Sequence, residues 1–260
     1  MLGADSPLSP ATTGLQNLRD LGGTPTQSGA RVQPRRLWRS ENQTGLGAPV
    51  LQALIDLGLT DVVDLRTDFE RAGSPSPLRC LPRVRYHHHS FFREAEDDRT
   101  SILDRALPWI GHPIEDLTGD ETADSYLGFL SDRPDSVVGA LRAVAGARGA
   151  ALVHCAVGKD RTGFLVALAL ALVGVADDVI AEDYARSSAA MVDVVRRLWA
   201  DPTYATEASD IDEARLAAHP ATMRVVLDHL REVGGVRPLL RDFGWTEDDN
   251  RRLARHLLEP

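Results

Sequence analysis

The sequence has almost no lysine, little cysteine, few aromatics and no apolar run of membrane-spanning length. Of its 29 basic side chains only Lys159 is a lysine. Two cysteines, Cys80 and Cys155, are too few for a disulfide scaffold, and no Cys/His spacing marks a metal centre. A reducing compartment fits this count, and free thiolate chemistry stays open. The longest apolar stretch, FLVALALALVGVA at 164–176, is too short to span a bilayer comfortably and reads as a buried helix, so no stable membrane insertion is expected. The opening residues, MLGADSPLSPATTG, have no basic start and no apolar centre, so no secretory signal peptide is expected. A cytoplasmic location is the default, with signal-less secretion as the alternative. The formal net charge of −9 argues against a nucleic-acid partner or an anionic membrane surface. Any anion handled here must meet a local concentration of positive groups.

What is present is an ordinary globular composition, 43% hydrophobic and 26% charged over 260 residues. There are no repeats, and no linker divides the chain. Residues 1–14 read as a loose tail and 15–260 as one domain. Strands are predicted at 35–39, 61–66, 83–92 and in ALVHC (151–155). Helices are predicted at 48–59, 122–130, 134–146, 161–174 and from 177, with several more in the C-terminal third. Residues 93–120 read as an acidic surface insertion. Strands alternating with helices around a mostly parallel core indicate an α/β fold.

The chemistry concentrates in HCAVGKDRTG (154–163), where a buried strand turns into a buried helix. Such a turn presents backbone N–H groups and the positive end of a helix at one point, which is an anion site. Gly158 and Gly163 allow close backbone approach. Arg161 carries a planar donor fork suited to two phosphoryl oxygens. Cys155 opens the loop, where donors that hold a phosphate also stabilise a thiolate for attack on phosphorus. The Thr162 hydroxyl can donate to the sulfur and ease its departure. A nucleotide-binding G-x-x-x-x-G-K-[ST] loop does not fit, because Val153 and Asp160 occupy two of its required positions. A sulfurtransferase, or an inert buried cysteine, accounts less well for the lysine, aspartate, arginine and threonine that follow.

At this loop the chain resembles the Cys-x5-Arg phosphatase superfamily, and more narrowly the bacterial tyrosine/serine phosphatases. NLRDLGG (17–23), LWRSE (37–41), DVVDLR (61–66) and DDVIAEDYARSS (177–188) look like that family's motifs in its order. The GKDRTG form also occurs in phosphoinositide phosphatases. The resemblance implies a central, mostly parallel sheet flanked by helices and covered by a helical lid. It also implies hydrolysis of phosphate monoesters through a phosphocysteine. Cys155 would be the nucleophile and Arg161 the phosphoryl holder. The N–H groups of Ala156, Val157, Gly158, Lys159, Asp160 and Arg161 would form the cradle. His154 would orient the loop and help keep the thiolate. The substrate would be a phosphorylated protein or a phosphoinositide, the product phosphate, and no cofactor or metal would be needed. A phospho-ligand-binding module without strong catalysis is the alternative.

Many tyrosine phosphatases carry the general acid in a Trp-Pro-Asp tripeptide, which this chain lacks; LPWIGHP (107–113) is the nearest string. The resemblance assigns the role to Asp160, with Asp64 and Asp124 as alternatives. Asp64 also reads as a structural partner for Arg39 or Arg66. Lys159 reads as a point charge at the cradle's rim, suited to a second phosphate on the same substrate. His87, His88 and His89 read as a surface strand, and Cys80 as a spectator or an oxidative partner of Cys155. Residues 189–220 form the candidate lid, with Met191, Val194, Val195, Leu198 and Trp199 on one helical face.

Overall fold

The computed structural model describes residues 8–93, 115–205 and 216–259. A five-stranded sheet runs in the order β1 (Arg19–Asp20), β2 (Leu37–Ser40), β5 (Ala150–His154), β3 (Leu59–Asp64), β4 (Arg85–His88). Only β1 is antiparallel to its neighbour. The helices are α1 (Pro10–Thr13), α2 (Ala48–Asp56), α3 (Asp68–Gly73), α4 (Glu121–Asp132), α5 (Pro134–Ala145), α6 (Asp160–Leu172), α7 (Asp177–Ala185), α8 (Ser188–Trp199), α9 (Pro220–Glu232), α10 (Val236–Asp242) and α11 (Glu247–Leu257). The expected α/β class and mostly parallel sheet are present.

Alternation along the strands explains the layers. In β5, Ala151 and Val153 join the core formed with α4, α5 and α6. Ala150 and Leu152 join the core on the opposite face, with Trp38, Leu54 and Leu18. Covering both faces is what a parallel strand requires, and it explains the near-continuous apolar run. The helix expected from 161 to 174 is α6, apolar all round and buried along most of its length. None of the helices among the described residues is long and apolar enough to cross a membrane.

Three expectations are revised. Residues 8–13 are no loose tail: they include α1, and Leu8, Ser9 and Thr13 are buried, Leu8 beside Leu15 and Leu18. The expected face of α8 is only partly buried. Met191, Val194 and Val195 are covered, whereas Trp199, the last residue of the helix, is exposed. His87 and His88 lie in edge strand β4 and His89 follows it, all half-buried; His87 bonds the Asp61 carboxylate at 2.8 Å and His88 the Arg66 carbonyl at 2.7 Å. Most of the insertion at 93–120, including its acidic run, and residues 206–215 of the candidate lid lie outside the described residues.

Candidate active site

The parallel strands β2, β5 and β3 end level with one another, with Ser40 and Asp64 both in register with His154. The loop from Cys155 to Lys159 leaves the sheet at these carboxyl ends, the place where open α/β sheets bind ligands. The loop is held from outside by its carbonyls. The Asn42 N–H donates to the Ala156 carbonyl at 2.9 Å. Asn17 Nδ2 donates to the carbonyls of Val157 and Gly158, at 3.0 and 3.1 Å. Arg39 Nη2 donates to the Gly158 carbonyl at 2.8 Å. Gly158 has φ 71°, and a β-carbon there would lie 2.4 Å from the Ser40 carbonyl oxygen. No other residue fits that crossing.

With the carbonyls turned into the scaffold, the N–H groups of Ala156, Val157, Gly158 and Asp160 donate to no protein group among the described residues. Successive free N–H groups at the start of a thirteen-residue helix make an anion cradle. The Thr162 hydroxyl is buried there and also lacks a hydrogen-bond partner. Cys155, 1% exposed, sits at the cradle's start.

Arg161 is buried and already paired. Its Nη1 and Nη2 donate to Glu70 Oε2 and Oε1 at 2.6 and 2.9 Å, and its guanidinium lies 5.1 Å from the Phe92 ring centre. Burial alone would weaken the charge on Arg161, but Glu70, with Cys155 also nearby, raises its pKa above the ordinary value. The fork expected to await an anion is thus oriented by a protein carboxylate first. Lys159 is also placed differently from expectation. Rather than standing free at the rim it is largely buried, with Nζ 3.5 Å from Asp160 Oδ1 at the start of α6.

Asp160 begins α6 and accepts a hydrogen bond from Tyr126 at 2.6 Å. The two alternative acids are engaged elsewhere. Asp124 accepts from Thr118 at 2.6 Å near the start of α4. Asp64 pairs with Arg66 rather than Arg39, with Nη2 on Oδ2 at 2.8 Å and Nε on Oδ1 at 3.0 Å. Burial opposes the charge on Asp64, but the Arg66 fork and the Tyr86 hydroxyl hold its carboxyl well below the usual range. His154 donates from Nδ1 to the Cys155 carbonyl at 3.2 Å. Burial lowers its pKa to about 4, so at neutral pH it is uncharged. Its bond to the Cys155 carbonyl ties the end of β5 to the start of the loop.

Sequence reasoning missed the braces. Asp183 lies between two buried arginines, with Arg19 Nε and Arg39 Nη1 each 2.8 Å from its oxygens. Burial lowers the Arg39 pKa to about 10. For Asp183 burial works upward, yet Arg19 and Arg39 outweigh it and bring the carboxyl down to about 2. The four short motifs supply these parts: Asn17 and Arg19, Arg39 and Glu41, Asp64 and Arg66, Asp183 and Tyr184. For Glu70 a signal existed, since Thr67-x-x-Glu70 is a capping box and α3 forms on it.

A family model described as tyrosine phosphatase family matches residues 10–259. The triple specificity protein phosphatase PtpB of Mycobacterium tuberculosis is 30% identical, over 94% of this chain and 97% of the relative. A protein of Cupriavidus necator carrying a provisional tyrosine-protein phosphatase name is 32% identical, over 67% of this chain and 61% of its own length. A tyrosine-protein phosphatase of Nostoc commune is 31% identical, over 52% of this chain and 42% of its own length. With the model covering nearly the whole sequence, the chain belongs to the tyrosine phosphatase family.

Proposed function

We propose that this chain hydrolyses phosphate monoesters through a phosphocysteine on Cys155. The observation that carries this reading is the row of N–H groups without protein acceptors behind Cys155, at the head of α6. In the first step the Cys155 thiolate forms an S–P bond, the ester P–O bond breaks, and the leaving oxygen takes the Asp160 proton. In the second step water attacks phosphorus and gives its proton to Asp160; the P–S bond breaks, and phosphate leaves with the thiolate restored. The cradle donors and Arg161 stabilise the charge that spreads over the phosphoryl oxygens in both transition states. Thr162 supplies its unpaired hydroxyl to the departing sulfur.

The substrate class is phosphotyrosine, with phosphoserine, phosphothreonine and phosphoinositides as further substrates. A relative of near-equal length, PtpB of Mycobacterium tuberculosis, bears a triple-specificity name, which supports breadth. Lys159, beside the cradle, is the cation that would favour a second phosphate. Helix α8 serves as a lid. The apolar face of α8, formed by Ala190, Met191 and Val194, packs on Val157 of the loop and on Leu216. Arg197 of α8 is tied to Glu41 at 2.9 Å, and Cys155 beneath is closed to solvent.

Cys155→Ser keeps the fold and the backbone donors and loses only the thiolate. Turnover of 4-nitrophenyl phosphate, a phosphotyrosine peptide and a phosphoinositide should disappear together, while phosphate or vanadate still binds. Steady-state turnover in this variant overturns the nucleophile assignment.

A further inference from the structure

Two buried tyrosines connect Asp160 to the helices packed around it. Tyr126 of α4 donates its hydroxyl proton to Asp160 Oδ1 at 2.6 Å, and its oxygen lies 2.7 Å from the Tyr184 hydroxyl of α7. The direction of this chain follows from a proton count. Tyr184 is 2% exposed, and Tyr126 is its only side-chain hydrogen-bond partner among the described residues. The Tyr184 proton therefore goes to Tyr126, and the Tyr126 proton goes to Asp160. The reverse order would leave a buried O–H without an acceptor. Burial, followed by the nearby Asp160 carboxyl, pushes both phenols above their ordinary pKa, so both remain donors.

The arrangement is built rather than incidental. The Tyr126 ring stacks on Phe129 with centres 5.9 Å apart and meets Tyr184 edge-on at 6.1 Å. A β-carbon on Gly163 would lie 2.8 Å from the Tyr184 ring. The second glycine of GKDRTG is therefore what lets Tyr184 lie against the first turn of α6. On the carboxyl itself, Oδ1 faces Tyr126 and Lys159, while Oδ2 has no hydrogen-bond partner among the described residues.

An acid that protonates a leaving oxygen must carry its proton on the oxygen that faces it. A proton on Oδ1 would weaken the bond accepted from Tyr126, because a hydroxyl oxygen is a poorer acceptor than a carbonyl oxygen. We propose that Tyr126, backed by Tyr184, is a positioning residue that holds Asp160 and confines its transferable proton to Oδ2. This rests on the acid role of Asp160 proposed above.

The test compares kcat/KM on phenyl phosphate, a poor leaving group, with 4-nitrophenyl phosphate, a good one. Asp160→Asn should lose about 10²-fold or more on the first and far less on the second. Tyr126→Phe keeps the ring packing and should lose about tenfold on phenyl phosphate and less than about twofold on 4-nitrophenyl phosphate. The double variant should be no slower than Asp160→Asn alone, because Tyr126 acts only through that carboxyl. Tyr184→Phe should show the same selectivity with a smaller loss, and it serves if Tyr126→Phe does not fold. Equal losses on both substrates, or none, alongside a selective Asp160→Asn, overturn the positioning role alone. An unselective Asp160→Asn overturns the acid role first and this inference with it.

Discussion

Arg161 and Glu70 form a buried, two-point ion pair, and that pair changes how the cradle handles charge. Glu70 cancels most of the guanidinium's net charge while fixing its plane. An incoming phosphate dianion is then met largely by oriented N–H groups and the head of α6 rather than by a bare cation. His154 shows the same economy at one residue's distance: it is neutral, buried and bonded to the Cys155 carbonyl. Its titration gives a measurable consequence. The unfolded chain protonates this histidine near pH 6.5, the folded chain only near pH 4. Between those values the unfolded state binds more protons. The His154 contribution to stability is complete above about pH 6.5 and declines, by roughly 3 kcal/mol in all, as pH falls through about 4. His154→Asn retains a donor for the Cys155 carbonyl and should flatten this part of the stability–pH curve in urea titrations. An unchanged slope would mean that the imidazole is already protonated in the folded protein.

At the scale of elements, the loop and α8 have opposite mechanical characters. The loop is pinned by five hydrogen bonds to its carbonyls from Asn17 Nδ2, Arg39 Nη2 and the Asn42 N–H, over strands buried on both faces. Helix α8 meets the loop through an apolar cluster of Ala190, Met191 and Val194 against Val157; it is tied at its start by Ser188 to Ala218 and at its end by Arg197–Glu41, and just beyond it Asp201 accepts from Ser74 at 2.5 Å. A small apolar contact area and polar ties that are partly open to solvent mark an element that opens locally at lower cost than α6. Amide exchange in α8 should be at least about tenfold faster than in α6, and vanadate should slow it. Exchange in α8 that is as slow as in α6 and indifferent to vanadate would place it in the permanent core, and the lid reading would fall.

At the scale of the molecule, the site is assembled by segments far apart in the chain. Asp183 joins Arg19 and Arg39, Glu70 joins Arg161, and Tyr126 joins Tyr184 and Asp160. The N-terminal segment belongs to this assembly. Leu8 packs into the core that also holds Leu15, Leu18 and Trp38, and the backbone N–H groups of Gln16 and Asn17 donate to Glu41. Deleting residues 1–14 should therefore cost about 2 kcal/mol, chiefly through Leu8, read as a lower urea midpoint. An unchanged midpoint would restore the description of this segment as a loose tail.

The sequence by itself determined the α/β class, the buried strand before Cys155, the buried helix after it and the place of the anion cradle. These are local properties. Apolar periodicity sets the elements, and Gly158 and Gly163 mark where backbone must pass close to something else. The sequence also placed four motifs in order without saying what they hold. Only the tertiary structure decided that Arg161 is oriented by Glu70, that Asp64 takes Arg66 rather than Arg39, that Lys159 is buried beside Asp160 and that Tyr126 reaches Asp160. The reason is physical. A buried charge must find an opposite charge or a donor set, but several arginines and carboxylates in this chain could satisfy that demand. Which pair meets depends on how strands β2, β5 and β3 align and how α4 and α7 pack against α6, and no local pattern encodes that choice.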